Sequence, residues 1–400
     1  MKGWDQTTLG EVCSLVTDGK HGDCRNEENS GYYFISAKDV GDGRINYDNA
    51  RQITQEDFAE THRRTDLKPG DLLITNSGTI GRMALAADDE KTPRTTFQKS
   101  VAVLKPKPQE VSSRFLYYYL NANVAALTHP AAGAAQKNLL LGDIRRFRLG
   151  KPSLIDQKRI VAAISTYDDL IANNRRRIGL LEEAARMLHR EWFVRFRFPG
   201  HEHVKIIDGI PEGWERRVLD QIVDVVSETV KPADFKEDDV HIGLEHIPRR
   251  SFILADWAPA EGLASHKMRF REGDILFGKI RPYFHKVGFA IRDGVASSDA
   301  LVWRVRNDSD WPMAVCATSS DHFVAVASKT VREGSKMPRA DWNVLKNYII
   351  PKPPDGLLSV YNDTIFPISW QCRILALQSR ALAQARDLLL PRLMNGEIAV

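Results

Sequence analysis

Apolar side chains between Leu154 and Phe198 recur at Ile160, Ile164, Tyr167, Ile171, Ile178, Leu181, Ala185, Leu188 and Trp192, in steps of four and three with one gap at Asn174. A heptad seam sustained this far predicts a long helix packed along a partner helix. Its flanks are charged (Lys158, Arg159, Arg175, Arg176, Arg177, Glu182, Glu183), Gly179 is its only weak helix former, and Pro199-Gly200 are placed to stop it. From Asp156 to Phe198 such a helix covers about 60 Å at about 1.5 Å per residue. A second seam, Ile365, Ile368, Cys372, Leu375, Ser379, Leu382, Leu389 and Leu393, has the same phase, with Arg386 breaking the series. The two helices most simply pair with each other, since closing the intervening chain costs little more for a long segment than for a short one. Two amphipathic helices, each packed on its own globular part, are the alternative. Asn174 on the seam either fixes the register, as a buried polar residue can, or meets a wet patch.

The second seam follows the first at an offset of 201 residues, and other features repeat with it. Trp4, Leu9 and Val12 match Trp214, Leu219 and Ile222; Pro69-Gly70-Asp71-Leu72-Leu73-Ile74 matches Glu272-Gly273-Asp274-Ile275-Leu276-Phe277; Gly133 matches Gly334; and Ile144, Phe147, Lys151 and Pro152 match Leu345, Tyr348, Lys352 and Pro353. A nearly constant offset over features in the same order indicates a duplicated and diverged unit. In the first globular part, β-prone runs at Tyr32–Ala37, Asp71–Thr75, Ile80–Ala86 and Ser100–Leu104 alternate with turn residues, and a helix is expected over Ser112–Thr128. In the second, the strands are expected at His241–Glu245, Asp274–Gly278, Lys286–Arg292 and Ala300–Val305, with the helix at Pro312–Ser328. The expected fold is α+β, with mixed α/β domains at 1–153 and 199–353 (the latter including a linker), each followed by a spacer helix at 154–198 and 354–400.

Connectivity then suggests a geometry. The second helix must return antiparallel to pair with the first, which gives an antiparallel two-helix coiled coil with a globular part at each end and a pseudo-two-fold relation between the halves. Duplex DNA has dyads of its own, and two-fold proteins read half-sites at fixed separations of about 34–36 Å per turn. A helical strut would act as a ruler for such a pair of readers.

Composition changes this picture little. A net charge of +4 over 400 residues permits a nucleic-acid partner without demanding one, so any basic surface must be local. Cys13, Cys24, Cys316 and Cys372 form no zinc spacing and read as reduced thiols, and neither a membrane-length apolar run nor an export signal is evident, so a cytoplasmic protein is expected.

The helix ends carry sharper signals. Residues 182–203 read EEAARMLHREWFVRFRFPGHEH, and residues 385–398 read ARDLLLPRLMNGEI. Both resemble the helical regions of the specificity subunit of type I restriction–modification enzymes. The two PGD-like runs and Asp18-Gly19-Lys20-His21 are typical of that family too, whereas the second half shows no clear DG-x-H. The resemblance spans the whole chain and implies two target-recognition domains, each reading one half of a split, asymmetric DNA site. It also implies a subunit with no active site and no cofactor of its own, which recruits two adenine methyltransferase subunits and two restriction/translocase subunits. S-adenosylmethionine, ATP and Mg would then be bound by those partners.

Contacts to double-stranded DNA are expected from loops, with Lys and Arg on phosphates and Asn, Gln, Arg or Ser on base edges. In the first domain these are Lys20, His21 and Arg25, then Asn76, Ser77 and Arg82, then Gln136, Lys137 and Asn138. Offset matching gives Lys279, Arg281 and Tyr283, then Lys336 and Arg339 in the second. The same residues could also be ordinary solvated turns. Trp192, Phe193, Phe196 and Phe198, with Leu389 and Leu393 on the other helix, suggest a docking site for a partner subunit or a packing site at a helix end. His201-Glu202-His203 has no further ligand at a metal-binding spacing, and there is no GxxxxGK[ST], GxGxxG or GxSxG. The rival reading is a single-chain DNA methyltransferase or endonuclease whose catalytic motifs are not recognisable.

Overall fold

The seams fold as two long helices, Leu154–His189 and Asp355–Met394. In the computed structural model, which describes residues 4–129, 138–330 and 337–398, every apolar seam residue of the first helix is buried or half-buried, and Arg175, Arg176 and Arg177 are exposed. Asn174 is buried as well. The first helix closes with a widened π turn at Arg190–Val194, short of Pro199, because Phe196 adopts a left-handed backbone and turns the chain back on itself. The second helix runs through Pro367 and Pro391. Both prolines are exposed, and the carbonyls they leave unpaired belong to the exposed Asp363 and Asp387. Among the described residues no helix is long and apolar enough to cross a membrane.

The chain forms two compact units, Met1–Asp169 with Ala383–Val400, and Leu170–Leu382. Both long helices therefore contribute to both units.

In the first unit an antiparallel sheet runs in the order Cys13–Asp18, Val101–Pro106, Leu72–Thr75, Met83–Leu85. Both of its faces are covered, which is why Leu72-Leu73-Ile74 reads as an unbroken apolar run. Leu72 and Ile74 join Phe115, Leu116 and Tyr119 of the helix Ser113–Ala122. Leu73 and Val103 join Ile35 and Phe97 of a small sheet, in which Tyr33–Ile35 lies parallel to Thr95–Phe97. The helix expected over Ser112–Thr128 breaks at Asn123. A separate strand pair, Asp5–Thr8 with Arg148–Lys151, sets Asp5 opposite Lys151. The start of the first long helix and the end of the second share one core, through Ile160, Ile164, Leu389, Leu393 and Met394. Each fully buried aliphatic side chain of this kind contributes about 1.5–3 kcal/mol. Arg386 continues the helix contact: it pairs with Asp168 at 2.5 Å, and Asp168 also accepts from the Tyr118 hydroxyl at 2.6 Å.

The second unit repeats the plan. Its main sheet runs Val223–Val225, Ala300–Val305, Ile275–Gly278, Val287–Ala290, Ile253–Leu254, and in the second sheet Val240–Ile242 lies parallel to Gly294–Ala296. Glu215–Val218 pairs with Ile349–Lys352 and sets Glu215 opposite Lys352, the same register as in the first unit. The helix expected at Pro312–Ser328 breaks into Trp311–Thr318 and Asp321–Lys329. Here the two long helices meet antiparallel. Trp192 lies against Tyr361, with ring centroids 5.5 Å apart, and earlier in the first helix Glu182 lies near Cys372, later in the second. Glu182 is buried, so its carboxyl is raised above the usual range; its carboxylate oxygens accept from the Ser251 hydroxyl at 2.6 Å, the Phe252 amide at 3.0 Å and the Arg186 guanidinium at 3.2 Å. That places the helix firmly against the strand that follows.

Candidate nucleic-acid interface

The aspartates of the PGD-like runs hold the entry to the central strand of each main sheet. Asp71 accepts from the Lys68 amide at 2.8 Å and pairs with Lys105 on the neighbouring strand. Asp274 accepts from the Arg271 amide at 2.8 Å and from Arg304 at 2.8 and 2.6 Å. These motif residues are structural: they cap a turn and tie two strands together, at the end of the sheet away from the loops expected to meet DNA.

Those loops start where the central strand ends. In the first unit the Asn76 amide donates to the Ser100 carbonyl at 3.0 Å, the Leu139 amide donates to the Asn76 carbonyl at 2.8 Å, and Ser77 bridges to Asn138. In the second, the Lys279 amide donates to the Asp299 carbonyl at 3.0 Å, the Ala340 amide donates to the Lys279 carbonyl at 2.8 Å, and Ile280 bridges to Arg339. The same three-segment frame is thus built twice, with Asn76 and Lys279 at equivalent positions. The Lys20 loop joins the first frame. The Lys20 amide donates to the Phe97 carbonyl at 2.8 Å, and the Lys99 amide donates to the Lys20 carbonyl at 3.0 Å. Gly19 permits this approach, since a β-carbon there would lie 1.8 Å from the Phe97 oxygen. That is the physical reason for glycine in the DG-x-H run.

The frame brings Lys20, Asn76, Ser77 and Asn138 together around Gln98–Ser100. Their side chains differ in availability. Lys20 is held by Glu60 at 3.0 Å, and this contact raises its ammonium above the usual range. His21 pairs with Asp18 at 3.0 Å. Arg25 lies 3.5 Å from Asp57 and 3.6 Å from Glu56, while its backbone amide donates to Asp57 at 2.6 Å and keeps that carboxyl low. Lys20 and Arg25 are thus both countered by acids of one helix, Gln55–Thr65, that the sequence pattern does not reveal. Asn76 is buried, and its Oδ1 has no hydrogen-bond partner among the described residues. Arg82 is exposed on the same turn. Two residues not singled out from the sequence, Gln98 and the exposed Lys99, stand between the Lys20 and Asn76 loops. Their signal was positional only: with Ser100 they form the link between the strands Thr95–Phe97 and Val101–Pro106.

In the second unit Arg281, with a left-handed backbone, donates its amide to the Pro338 carbonyl at 2.8 Å, and its guanidinium lies 6.0 Å from the centre of the Phe284 ring. Arg249, also unforeseen, lies 4.2 Å from the same ring, and the exposed Tyr283 packs beside it. Arg339 is 3.4 Å from Asp299. Gln136 and Lys137, like Gly133, and Lys336, like Gly334, lie outside the described residues.

The aromatic residues expected at a docking surface are placed otherwise. Trp192 and Phe193 are buried in the core of the second unit, and Phe193, Phe196 and Phe198 all pack on Trp214, at 5.6, 5.6 and 5.1 Å. The turn at Phe196 folds them inward, so of the two expectations, docking or packing, the burial of Trp192 and Phe193 matches packing. Leu393 is buried in the first unit's core, while Phe196 and Leu389 are half-buried.

His201-Glu202-His203 forms a short 3-10 turn with no buried side chain. Among the described residues, the ligand atoms of His241, Glu245 and His246 do come within 4.8 Å of one another. However, His246 Nδ1 accepts from the Gly243 amide at 2.9 Å, just as the Asp39 carboxylate in the first unit accepts from the Ser36 amide at 2.8 Å. His246 is thereby a turn cap whose other nitrogen carries the proton, which argues against its acting as a ligand.

Residues 1–183 match the type I restriction modification DNA specificity domain. The chain is 24% identical to the type I restriction enzyme MjaIX specificity subunit of Methanocaldococcus jannaschii, over 92% of this chain and 87% of that one. It is 23% identical to the type I restriction enzyme EcoDI specificity subunit of Escherichia coli, over 62% and 61%. The crystal structure of the type I restriction–modification system S subunit from M. genitalium has the same fold, with a TM-score of 0.58 at 12% identity over 98% of this chain and 96% of that one.

Proposed function

We infer that this chain, which belongs to the family of type I restriction–modification specificity subunits, reads a split DNA site with two recognition frames and performs no chemistry itself. The observation that carries the reading is the repeated frame. Two loop clusters share the same backbone hydrogen bonds but carry different side chains, Asn76 and Gln98 in one, Lys279 and Ser297 in the other. Equal scaffolds with unequal polar side chains are what two different half-sites require, since base edges are distinguished by their donor and acceptor patterns. Lys and Arg around each frame would hold the backbone phosphates and make binding salt-dependent.

In this reading the subunit acts within a type I restriction–modification complex. Two methyltransferase subunits and two restriction/translocase subunits are its partners, and S-adenosylmethionine, ATP and Mg are bound by them. The long helices set the separation of the half-sites. No observation favours the single-chain methyltransferase or endonuclease reading.

The test is a domain exchange. The full chain is co-produced with its methyltransferase partner and methylated adenines are mapped across a genome. Residues 1–150 are then replaced by those of a relative of different specificity. One half-site should change and the other persist. A change in both halves, or methylation by this chain without a partner, would overturn the reading.

A further inference from the structure

We propose that Gln98 reads a base edge in the half-site of the first unit and that Lys99 beside it holds a phosphate, with Ser297 and Ser298 as their counterparts in the second unit; this rests on the DNA-recognition reading above.

The segment Phe97–Val101 is fixed from several sides. The Lys20 amide donates to the Phe97 carbonyl at 2.8 Å, the Gln98 amide to the Ile35 carbonyl at 2.9 Å, and the Val101 amide to the Gln98 carbonyl at 3.0 Å. Ser100 accepts from the Asn76 amide at 3.0 Å, and its hydroxyl accepts from the Ala37 amide at 3.3 Å. A reader must be held rigidly if it is to discriminate between bases. The second unit repeats the hold at equivalent places, with the Ser297 amide on the Ile242 carbonyl at 3.0 Å and the Ala300 amide on the Ser297 carbonyl at 3.0 Å.

The Gln98 side chain, like those of Ser77, Arg82 and Asn138, is left unengaged by the described residues. Around it Lys20, His21 and Arg25 are all engaged by carboxylates of this chain. The half-buried Gln98 side chain and the exposed Lys99 ammonium have no hydrogen bond or ion pair to the described residues. A Gln amide offers a donor and an acceptor side by side, which match N7 and the N6 amino group of adenine, so the base pair it reads is A·T. A lone ammonium fits a phosphate as a point charge. In the second unit Ser297 and Ser298 present short hydroxyls from the same backbone positions, which gives that half-site a different preference there.

The experiment uses the full chain in complex with its methyltransferase partner and selects bound duplexes from a random library. With Gln98→Ala, one A·T position in one half-site should become degenerate, with affinity for the original sequence falling about 5- to 100-fold, and the other half-site should be unchanged. Gln98→Glu, which keeps the shape but removes the amide donor, should shift that same position away from A·T. With Lys99→Ala the recognised sequence should stay the same while affinity falls and the slope of log affinity against log salt becomes shallower by about 0.9. Melting temperatures of all three variants should match the wild type. If the wild type selects two half-sites and both Gln98 variants select the same two, the assignment of Gln98 is wrong while the function stands. If the wild type selects none, both are wrong.

Discussion

Gly19 sits so close to the Phe97 carbonyl that any β-carbon there would collide with backbone, 1.8 Å from oxygen and 2.4 Å from carbon. Backbone cannot swing away as a side-chain end can, so Gly19→Ala should lower stability by about 2 kcal/mol or more, read as a lower urea midpoint at pH 7. An unchanged midpoint would mean that the loop is not held against Phe97. His189 gives a second test at this scale. It is buried, its ring stacks on Phe193, and burial pushes it down to about 4 from an ordinary 6.5. The unfolded chain therefore takes up this proton first as pH falls. The stability owed to the neutral ring is complete above about 6.5 and declines between 6.5 and 4, by up to about 3 kcal/mol. Burial lowers His241 and His285 too, so they add in the same direction. The melting temperature should drop as pH falls from 7 to 4.5, and His189→Leu should make that drop shallower; an identical slope in the variant would rule the residue out as its source. Single residues were the least legible level of the sequence. Lys20 and Arg25 look like free cations in the chain, and only the fold sets Glu60, Glu56 and Asp57 beside them.

Elements were legible where periodicity was strong. The long helices follow their seams because the apolar stripe recurs over many turns, interrupted only at Asn174 in the first and at Ser379 and Arg386 in the second. The helix Gln55–Thr65 escaped because its buried face consists of Phe58, Thr61 and Thr65, too little apolar surface to stand out, with Thr54 accepting from the Asp57 amide to start it. Short strands such as Thr95–Phe97 have too few residues to show alternation. Arg386 was the instructive misfit. It breaks the apolar series, yet its cation meets Asp168, which Tyr118 also contacts, so one carboxylate links the globular part of the first unit to both long helices. Arg386→Met should cost about 1–2 kcal/mol by leaving Asp168 without its cation in a half-buried site, and adding Asp168→Leu should recover part of that loss. Denaturant unfolding of the two singles and the double decides it. Fully additive losses would mean that the pair is not coupled.

At the scale of the whole molecule, duplication was the most legible property, because two copies reveal each other. The offsets found in the chain reappear as registers, Asp5 opposite Lys151 and Glu215 opposite Lys352. Which bases each frame selects is not carried by the repeat, since recognition depends on where the copies differ. The repeat does carry a consequence for spacing. Both long helices run from one compact unit into the other, so their length is shared by both recognition frames. Four residues added to each helix, after Asn174 and after Leu375, extend it by about 6 Å and preserve nearly a full turn, which keeps the seam residues on the same face. With bases stacked about 3.4 Å apart along each strand, the non-specific gap between the half-sites should lengthen by one or two base pairs while the half-sites themselves stay the same. Mapping methylated adenines in cells that carry the lengthened subunit reads this directly. A folded, active variant with the original gap would show that the helices do not set the spacing, and would leave the two frames to be positioned by partner subunits.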